Sequence, residues 1–337
     1  PETVVLSEDT PCPDIPTRTM SAGRSINGSM LNPDPGGSQG YDSDANGYSA
    51  ELNVALGVSE STPLSITTGS LVSTVSRVST NEGSDAARVW KASVLTVVSE
   101  APATGSFRPP YTGSDKTSYF NEDQLDYSLL SNLQPVSGTP VLADLAQDFK
   151  KLWLDHKNGW STGQIHPKEN MPTYGRELSN KVGVAALALH TRWNEDDEQS
   201  NALKRDLMIG FVQYGIDSFG LISNGGESLW IADGGHGAGR KWPILFAGLV
   251  LNDADMMAIG EKSGSYRYTG EYGPGNLPPD LVNFQEDDST FYVKESDVYE
   301  PPYEFYYTNT KYVNRGSVIV TNGSNVVEGV NTSWTAD

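Results

Sequence analysis

The chain contains four histidines, at 156, 166, 190 and 236. Three of them stand beside groups able to move protons or bind carboxylates. His166 opens the stretch His166-Pro-Lys-Glu-Asn170-Met-Pro-Thr-Tyr174-Gly-Arg176-Glu177. Pro167 and Pro172 hold it off helical geometry, so one short loop delivers a histidine, an amide, a phenol and a guanidinium to the start of a helix. His236 lies in Trp230-Ile-Ala-Asp233-Gly-Gly-His236-Gly-Ala-Gly-Arg240-Lys241-Trp-Pro243, a charged, glycine-rich loop mounted on an apolar helix. Glycines let a backbone approach a ligand closely, and loops on a rigid scaffold are where sites concentrate. His156 closes Trp153-Leu-Asp155-His156, and His190, on a helix, reads as structural.

This set fits β-elimination of a uronic-acid sugar. A neutraliser must bind the carboxylate so that the neighbouring proton becomes acidic. A phenol or imidazole then removes that proton and another is donated to the leaving oxygen. Tyr174 is the expected base or acid, His166 or His236 its partner, and Asn170, Arg176 and Arg240 the neutralisers. Asp233 is expected to contact substrate. Arg108 and Tyr111, in Gly105-Ser-Phe-Arg108-Pro-Pro-Tyr111-Thr-Gly113, read either as a ligand wall or as part of a rigid linker. Hydrolysis of neutral glycans needs two facing carboxylates instead, for which Asp155, Glu177, Asp233, Glu286 and Asp287 are candidates. The histidines lack metal-ligand spacing, and Gly234–Gly239 lacks the ending of a phosphate loop. No cofactor is expected apart from one calcium alternative. Asp42-Ser-Asp44-Ala-Asn46-Gly47 matches the first half of a calcium loop, but the twelfth position is Asn53 rather than a bidentate Glu. The stretch therefore reads first as a polar turn.

The elements that must carry these residues change character along the chain. Residues 1–40 are broken by Pro11, Pro13, Pro16, Pro33 and Pro35 and read as an extended arm packed on a neighbouring domain or subunit. Ser49–Leu56, Leu71–Val78 and Val89–Val98 read as strands of a β-rich domain spanning 41–140. From 141 to 295 the period becomes helical. Helices are expected over Val141–His156, Glu177–Trp193, Asn201–Phe219 (with Gly220 as the residue after the C-cap) and Ile244–Ile259. Residues 296–337 read as a connector and the start of a β module. A tyrosine-rich stretch from 261 to 310 suits sugar stacking or a subunit interface equally. Asn322-Gly323 marks a hairpin turn. The fold class is thus α+β and multidomain, with a β-rich part, a helical part and a terminal β-hairpin module.

The 337 residues carry a net charge of −20. Such acidity opposes nucleic acid and anionic membranes as partners and disfavours polyanionic substrates. No apolar run approaches the length of a membrane span. The single Cys12 excludes an internal disulfide framework. High Gly, Ser, Thr and Asn with few Lys suits an extracellular or virion surface.

Two resemblances rest on motifs already quoted and two more. With Gly105-Ser-Phe-Arg-Pro-Pro-Tyr, the stretches Asn170-Met-Pro-Thr-Tyr-Gly-Arg, Val212-Gln-Tyr-Gly-Ile-Asp and Asp233-Gly-Gly-His-Gly-Ala-Gly-Arg-Lys-Trp-Pro resemble secreted bacterial proteins of uncharacterised activity. Those carry a helical toroid of the kind found in polysaccharide lyases and hydrolases. This likeness covers about residues 25–295 and implies an α/α toroid-like helical domain acting on glycans. Gly316-Ser-Val-Ile-Val-Thr-Asn-Gly-Ser-Asn-Val-Val-Glu-Gly resembles a small β module of bacteriophage tail fibres, which implies attachment to a larger particle. Together they point to a glycan-directed virion or secreted protein, a tail fibre or spike with a lyase-like domain. Its expected partners are a polysaccharide or cell-surface glycan and other fibre subunits, with homo-oligomerisation. The alternative is a non-enzymatic structural or receptor-binding subunit.

Overall fold

The computed structural model describes residues 27–76, 87–192, 197–262, 282–288, 317–320 and 327–330. The chain divides into two compact units, Pro1–Ser289 and Thr290–Asp337. The first is mixed α/β. It holds a three-stranded antiparallel sheet of β1 (Ser29–Leu31), β2 (Gly69–Ser76) and β3 (Val89–Val97), in that spatial order. Five helices follow: α1 (Leu142–Phe149), α2 (Gly175–Leu189), α3 (Glu198–Ser223), α4 (Lys241–Leu251) and α5 (Ala254–Lys262). No described helix is long and apolar enough to cross a membrane.

Sheet and helices, expected as separate domains, contribute to one hydrophobic cluster. It runs from Met30, Val72 and Val89 in the sheet to Phe149, Leu178, Phe211 and Ile244 in the helices. The expected boundary at 140 therefore falls inside a single unit. The chain stitches the two layers with backbone bonds, Arg88 N–H donating to Gln164 O at 2.7 Å and Glu169 N–H to Trp90 O at 3.1 Å. α3 is the central element, packed by α1, α2 and α4. Such packing explains why burial there runs nearly all round the helix instead of along one stripe.

Several boundaries differ from the sequence expectation, each for a local reason. Residues 29–31, expected in an irregular arm, form β1, paired to β2 with Met30 opposite Val72. Ser49–Leu56, expected as a strand, forms two single-turn 3-10 helices, Ala50–Leu52 and Val54–Gly57. Asn53 decides this, its Oδ1 accepting from Ala55 N at 3.2 Å and from Ser29 N at 3.0 Å. α1 stops at Phe149 instead of His156 because side chains take the terminal carbonyls. Trp153 Nε1 donates to Asp148 O, and Asn170 Nδ2 donates to Asp148 O and Leu152 O. The fourth expected helix is two, broken where Asn252 turns left-handed at φ 54° and Asp253 accepts from Met256 N at 2.8 Å to start α5.

Gly220 does not end α3. It is buried within the helix, and a Cβ there would lie 2.2 Å from Pro110 Cβ. The helix continues one turn to Ser223, and Gly225 at φ 99° follows its end. Gly220→Ala is expected to cost roughly 1–3 kcal/mol through overpacking against the Pro109-Pro110 loop. Denaturant unfolding checks this; an unchanged midpoint would show that the loop yields freely.

In the second unit, β4 (Ser317–Val320) pairs antiparallel with β5 (Val327–Val330), Val320 opposite Val327. This is the expected hairpin. Its Asn322-Gly323 turn, like the tyrosines from 266 to 272 and from 292 to 307, lies outside the described residues.

Candidate functional site

The motif residues do not meet in one cleft. They are distributed over a buried polar knot, a clamped loop and a surface cluster.

The knot is centred on Asp155, which is fully buried. Asp155 follows α1 on an extended segment, His166 follows a short 3-10 turn, and Arg240 is the residue before α4. Arg240 Nε donates to Asp155 Oδ2 at 2.7 Å and Arg240 Nη2 to Oδ1 at 3.0 Å. Thr162 Oγ1 donates to Oδ1 at 3.0 Å, and His166 Nε2 lies 2.9 Å from the same oxygen. The other ring nitrogen of His166 faces Pro172 O at 2.8 Å. Arg240 Nη1 donates to His236 O and Ala238 O. Burial alone would raise the Asp155 carboxyl; the Arg240 charge and the His166 contact outweigh it and hold the group below the ordinary carboxylate range. The stretch from Asp155 to His166 is thus tied to the sequence-distant start of α4 by one fully desolvated ion pair. Arg240 and His166, expected to face a substrate, face Asp155 instead.

The clamped loop carries Arg108 and Tyr111. Arg108 meets Asp217 of α3 through two parallel bonds, 2.8 Å and 2.5 Å. Gln213 grips the Arg108 backbone at both ends, accepting from its N–H and donating to its carbonyl at 3.0 Å each. Lys116 Nζ donates to Pro110 O and Thr112 O. Tyr111 is fully buried, and its hydroxyl oxygen accepts from Asp155 N at 3.1 Å. Burial pushes the Asp217 carboxyl up, and Arg108 offsets only part of this. The loop is held rigid, as the linker reading expects, and Arg108 also lines two cavities beside α3, as the ligand-wall reading expects. Asp217 and Gln213, inside the quoted Val212–Asp217 motif, had a usable signal: polar residues within an apolar helical run demand partners. Asn170 is likewise internal, bonded to the end of α1, and its carbonyl accepts from Lys181 Nζ at 2.5 Å.

The surface cluster is what remains. Tyr174 precedes α2, and its hydroxyl donates to Gly234 O. Its ring meets the His236 ring edge-on at 4.5 Å, and the Arg176 guanidinium lies 5.4 Å from its centroid. Arg176 is largely exposed, while Tyr174, His236 and Asp233 are half-buried.

The glycine-rich loop acts as a receptor for the chain itself. Glu286 Oε1 accepts from the N–H groups of Gly239, Arg240 and Lys241 at 2.8, 3.0 and 3.2 Å. A carboxylate there satisfies orphan donors and opposes the dipole of α4. Gln285 Oε1 accepts from Gly237 N at 2.8 Å, and Lys241 pairs with Asp287. Phe284 stacks on Trp230 with centroids 5.9 Å apart. Glu286 and Asp287, candidates for paired catalytic carboxylates, are engaged here.

The Asp42–Gly47 turn is organised by Gln39. Its Oε1 accepts from Tyr41 N and Asp42 N, and its Nε2 donates to Asp42 O and Ala45 O. Asp42 Oδ1 accepts from Asp44 N at 2.8 Å, and Asn46 N–H donates to Gln164 Oε1. Asn53, at the calcium loop's twelfth position, caps a 3-10 turn. Among the described residues, no group of three or more His, Cys, Asp or Glu side chains is placed to hold a metal ion.

Two of the cavities that border α3 lie beside these loops. One, of about 560 Å³, is lined by Phe107, Tyr119, Phe120, Phe219, Asp115 and Asn224. Tyr119 is 64% exposed, and its hydroxyl donates to Asp115 Oδ2 at 2.7 Å. The other, of about 420 Å³, lies between β3 and α3. Comparison with protein-family models, curated proteins and solved structures finds no match to this chain. The reading of function therefore rests on the residues and their geometry.

Proposed function

We propose that this chain is a glycan-directed, non-enzymatic surface subunit of a virion or extracellular fibre. One observation carries the non-enzymatic half. Arg108, Tyr111, His166, Asn170 and Arg240, five of the nine candidate catalytic or substrate-binding residues, are engaged with partners inside the protein. A neutraliser whose donors are saturated by Asp155 has none to offer a substrate carboxylate. The glycan half is supported by the cavity around Tyr119. A flat exposed ring anchored by its hydroxyl to Asp115 suits the apolar face of a sugar, and Asp115 and Asn224 supply acceptors for hydroxyls. Carboxylates there favour neutral over acidic glycans. Attachment to a larger assembly rests on the β4–β5 hairpin and its resemblance to a tail-fibre module.

A second reading, lyase chemistry in a toroid-like helical domain, is favoured by one observation. At the surface the Tyr174 ring meets both His236 and Arg176. One experiment separates the two. The protein is incubated with acidic and neutral polysaccharides while binding and the ultraviolet absorbance of unsaturated sugar are followed. Binding of a neutral glycan, without absorbance on any substrate and with at least a tenfold loss of affinity in Tyr119→Ala, is the expected result. Absorbance that grows with an acidic glycan and vanishes in Tyr174→Phe would overturn the non-enzymatic reading.

A further inference from the structure

On its way to α1 the chain crosses the surface with apolar side chains turned outward. Leu129, Leu133, Val136 and Val141 are 50–73% exposed, and Leu187 of α2 is 66% exposed. The stretch is fastened by its backbone. Asp126 N–H donates to Val250 O at 2.8 Å, Leu133 N–H to His190 O at 2.9 Å and Arg192 N–H to Leu133 O at 2.6 Å. Ser131 N–H donates to His190 Nδ1 at 2.9 Å. His190 stands about one turn after Leu187, so the stretch and the end of α2 share one face. Val136 N–H donates to Thr139 Oγ1 at 2.9 Å and holds the turn that leads into α1. A backbone held at these points keeps the four side chains out of the core.

Size and charge together indicate what covers this face. The five residues present roughly 500 Å² of mainly apolar surface, in the range of the largest patch on a typical monomer, which is often functional. That is more than half of the roughly 800 Å² each partner gives to a standard interface. From Tyr127 to Ala143 there is no Asp, Glu, Lys or Arg, where a chain with 20% charged residues would hold about three. A basic partner gains nothing from such a face and is drawn to the carboxylates elsewhere. Two copies, each at −20, repel through any acidic surface. A two-fold contact sets a patch against itself, with like charge facing like charge. An uncharged apolar patch is therefore where two such chains can meet.

We propose that this face is the two-fold interface of a homodimer, in which residues 129–141 and Leu187 of one chain pack on the same residues of a second copy. Its centre is apolar, and uncharged polar groups such as Asn132 and Gln134 lie between the anchors. The inference stands independently of the glycan reading.

The test is sedimentation velocity of the full chain over a range of concentrations, with Leu133→Glu and Leu187→Glu combined as the probe. Wild type is expected to sediment as a dimer, more firmly as salt screens the repulsion between copies. The probe variant is expected to associate at least tenfold more weakly. Leu56→Glu with Leu95→Glu adds the same two charges at exposed leucines elsewhere and should associate as wild type does. A wild type that stays monomeric at every concentration overturns the proposal. So does association that salt weakens, that survives the probe variant, or that the control pair abolishes equally. Circular dichroism shows whether the probe variant is folded; if it is not, Val136→Glu with Val141→Glu, on the other half of the face, decides by the same criteria.

Discussion

Asp155→Ala is expected to destabilise the protein by about 3–5 kcal/mol, the loss typical when one partner of a buried ion pair is removed. The guanidinium of Arg240 is fully buried, and without Asp155 it keeps the His236 and Ala238 carbonyls and a 3.4 Å contact with His166 Nε2, with no counter-charge. Thr162 and His166 lose their shared acceptor in the same step. Measured against a typical total stability of roughly 5–15 kcal/mol, this brings the fold near its limit. The melting temperature should fall on the order of 10 °C, at about 2–4 °C per kcal/mol. The informative companion is the double variant Asp155→Leu with Arg240→Met. Replacing both charges by apolar groups removes the desolvation cost along with the attraction, so the pair of changes should cost far less than Asp155→Ala alone. Denaturant unfolding of all three proteins gives the comparison. If Asp155→Ala loses less than about 1 kcal/mol, the knot does not hold these segments together as described. The same experiment bears on function, because a protein that retains its fold with both charges replaced shows that the pair is architectural.

The sequence revealed residue types better than their assignments. Period and β-branched content located β2, β3 and the helical cores, because those signals are local. The ends of α1 and of the Val54–Gly57 turn were hidden, since they depend on Asn170 reaching back to Asp148 and on Asn53 meeting Ser29. The break between α4 and α5 was legible in Asn252-Asp253, a left-handed residue followed by a cap. Glycine was the most misleading signal. Gly220 looks like a helix terminator in one dimension and is a docking point for Pro110 in three. The polar motifs misled similarly. His, Asn, Arg and Tyr gathered in loops fit an elimination site, and the same groups fit a set of internal fasteners. Only partner identity separates the two, and the partners Asp155, Asp217 and Glu286 lie 85, 109 and 46 residues from Arg240, Arg108 and the Arg240 backbone they hold. Local spacing carries no information on pairings of that range.

His156→Phe is expected to make the protein more resistant to acid. His156 is fully buried, with its ring edge-on to Tyr41 at 5.6 Å and to Tyr111 at 6.0 Å, and neither ring nitrogen has a hydrogen-bond partner. Burial pushes its pKa down to about 3; the neighbouring Asp155 charge opposes this and Lys157 adds to it. A base whose folded pKa lies below its unfolded value binds more protons when unfolded. Its contribution to stability is fully present above the ordinary histidine pKa of about 6.5. It is lost as pH falls toward 3, with a limiting slope of about 1.4 kcal/mol per pH unit. Asp155, held below its ordinary range, adds a loss in the same direction at lower pH. Asp217 works the other way, because its raised carboxyl favours the folded state below the ordinary carboxylate range and loses that contribution as pH rises through its folded pKa. As pH falls from about 6, His156 therefore lowers stability while Asp217 opposes it, and replacing His156 isolates its share. Phenylalanine retains an aromatic ring against both tyrosines and leaves no polar atom to desolvate. Its variant should be at least as stable as wild type near neutral pH and unfold at a lower pH in an acid titration followed by fluorescence. An unshifted acid midpoint would mean that the ring is protonated as readily in the folded chain as in the unfolded one, and that the Tyr41–His156–Tyr111 stack does not exclude water.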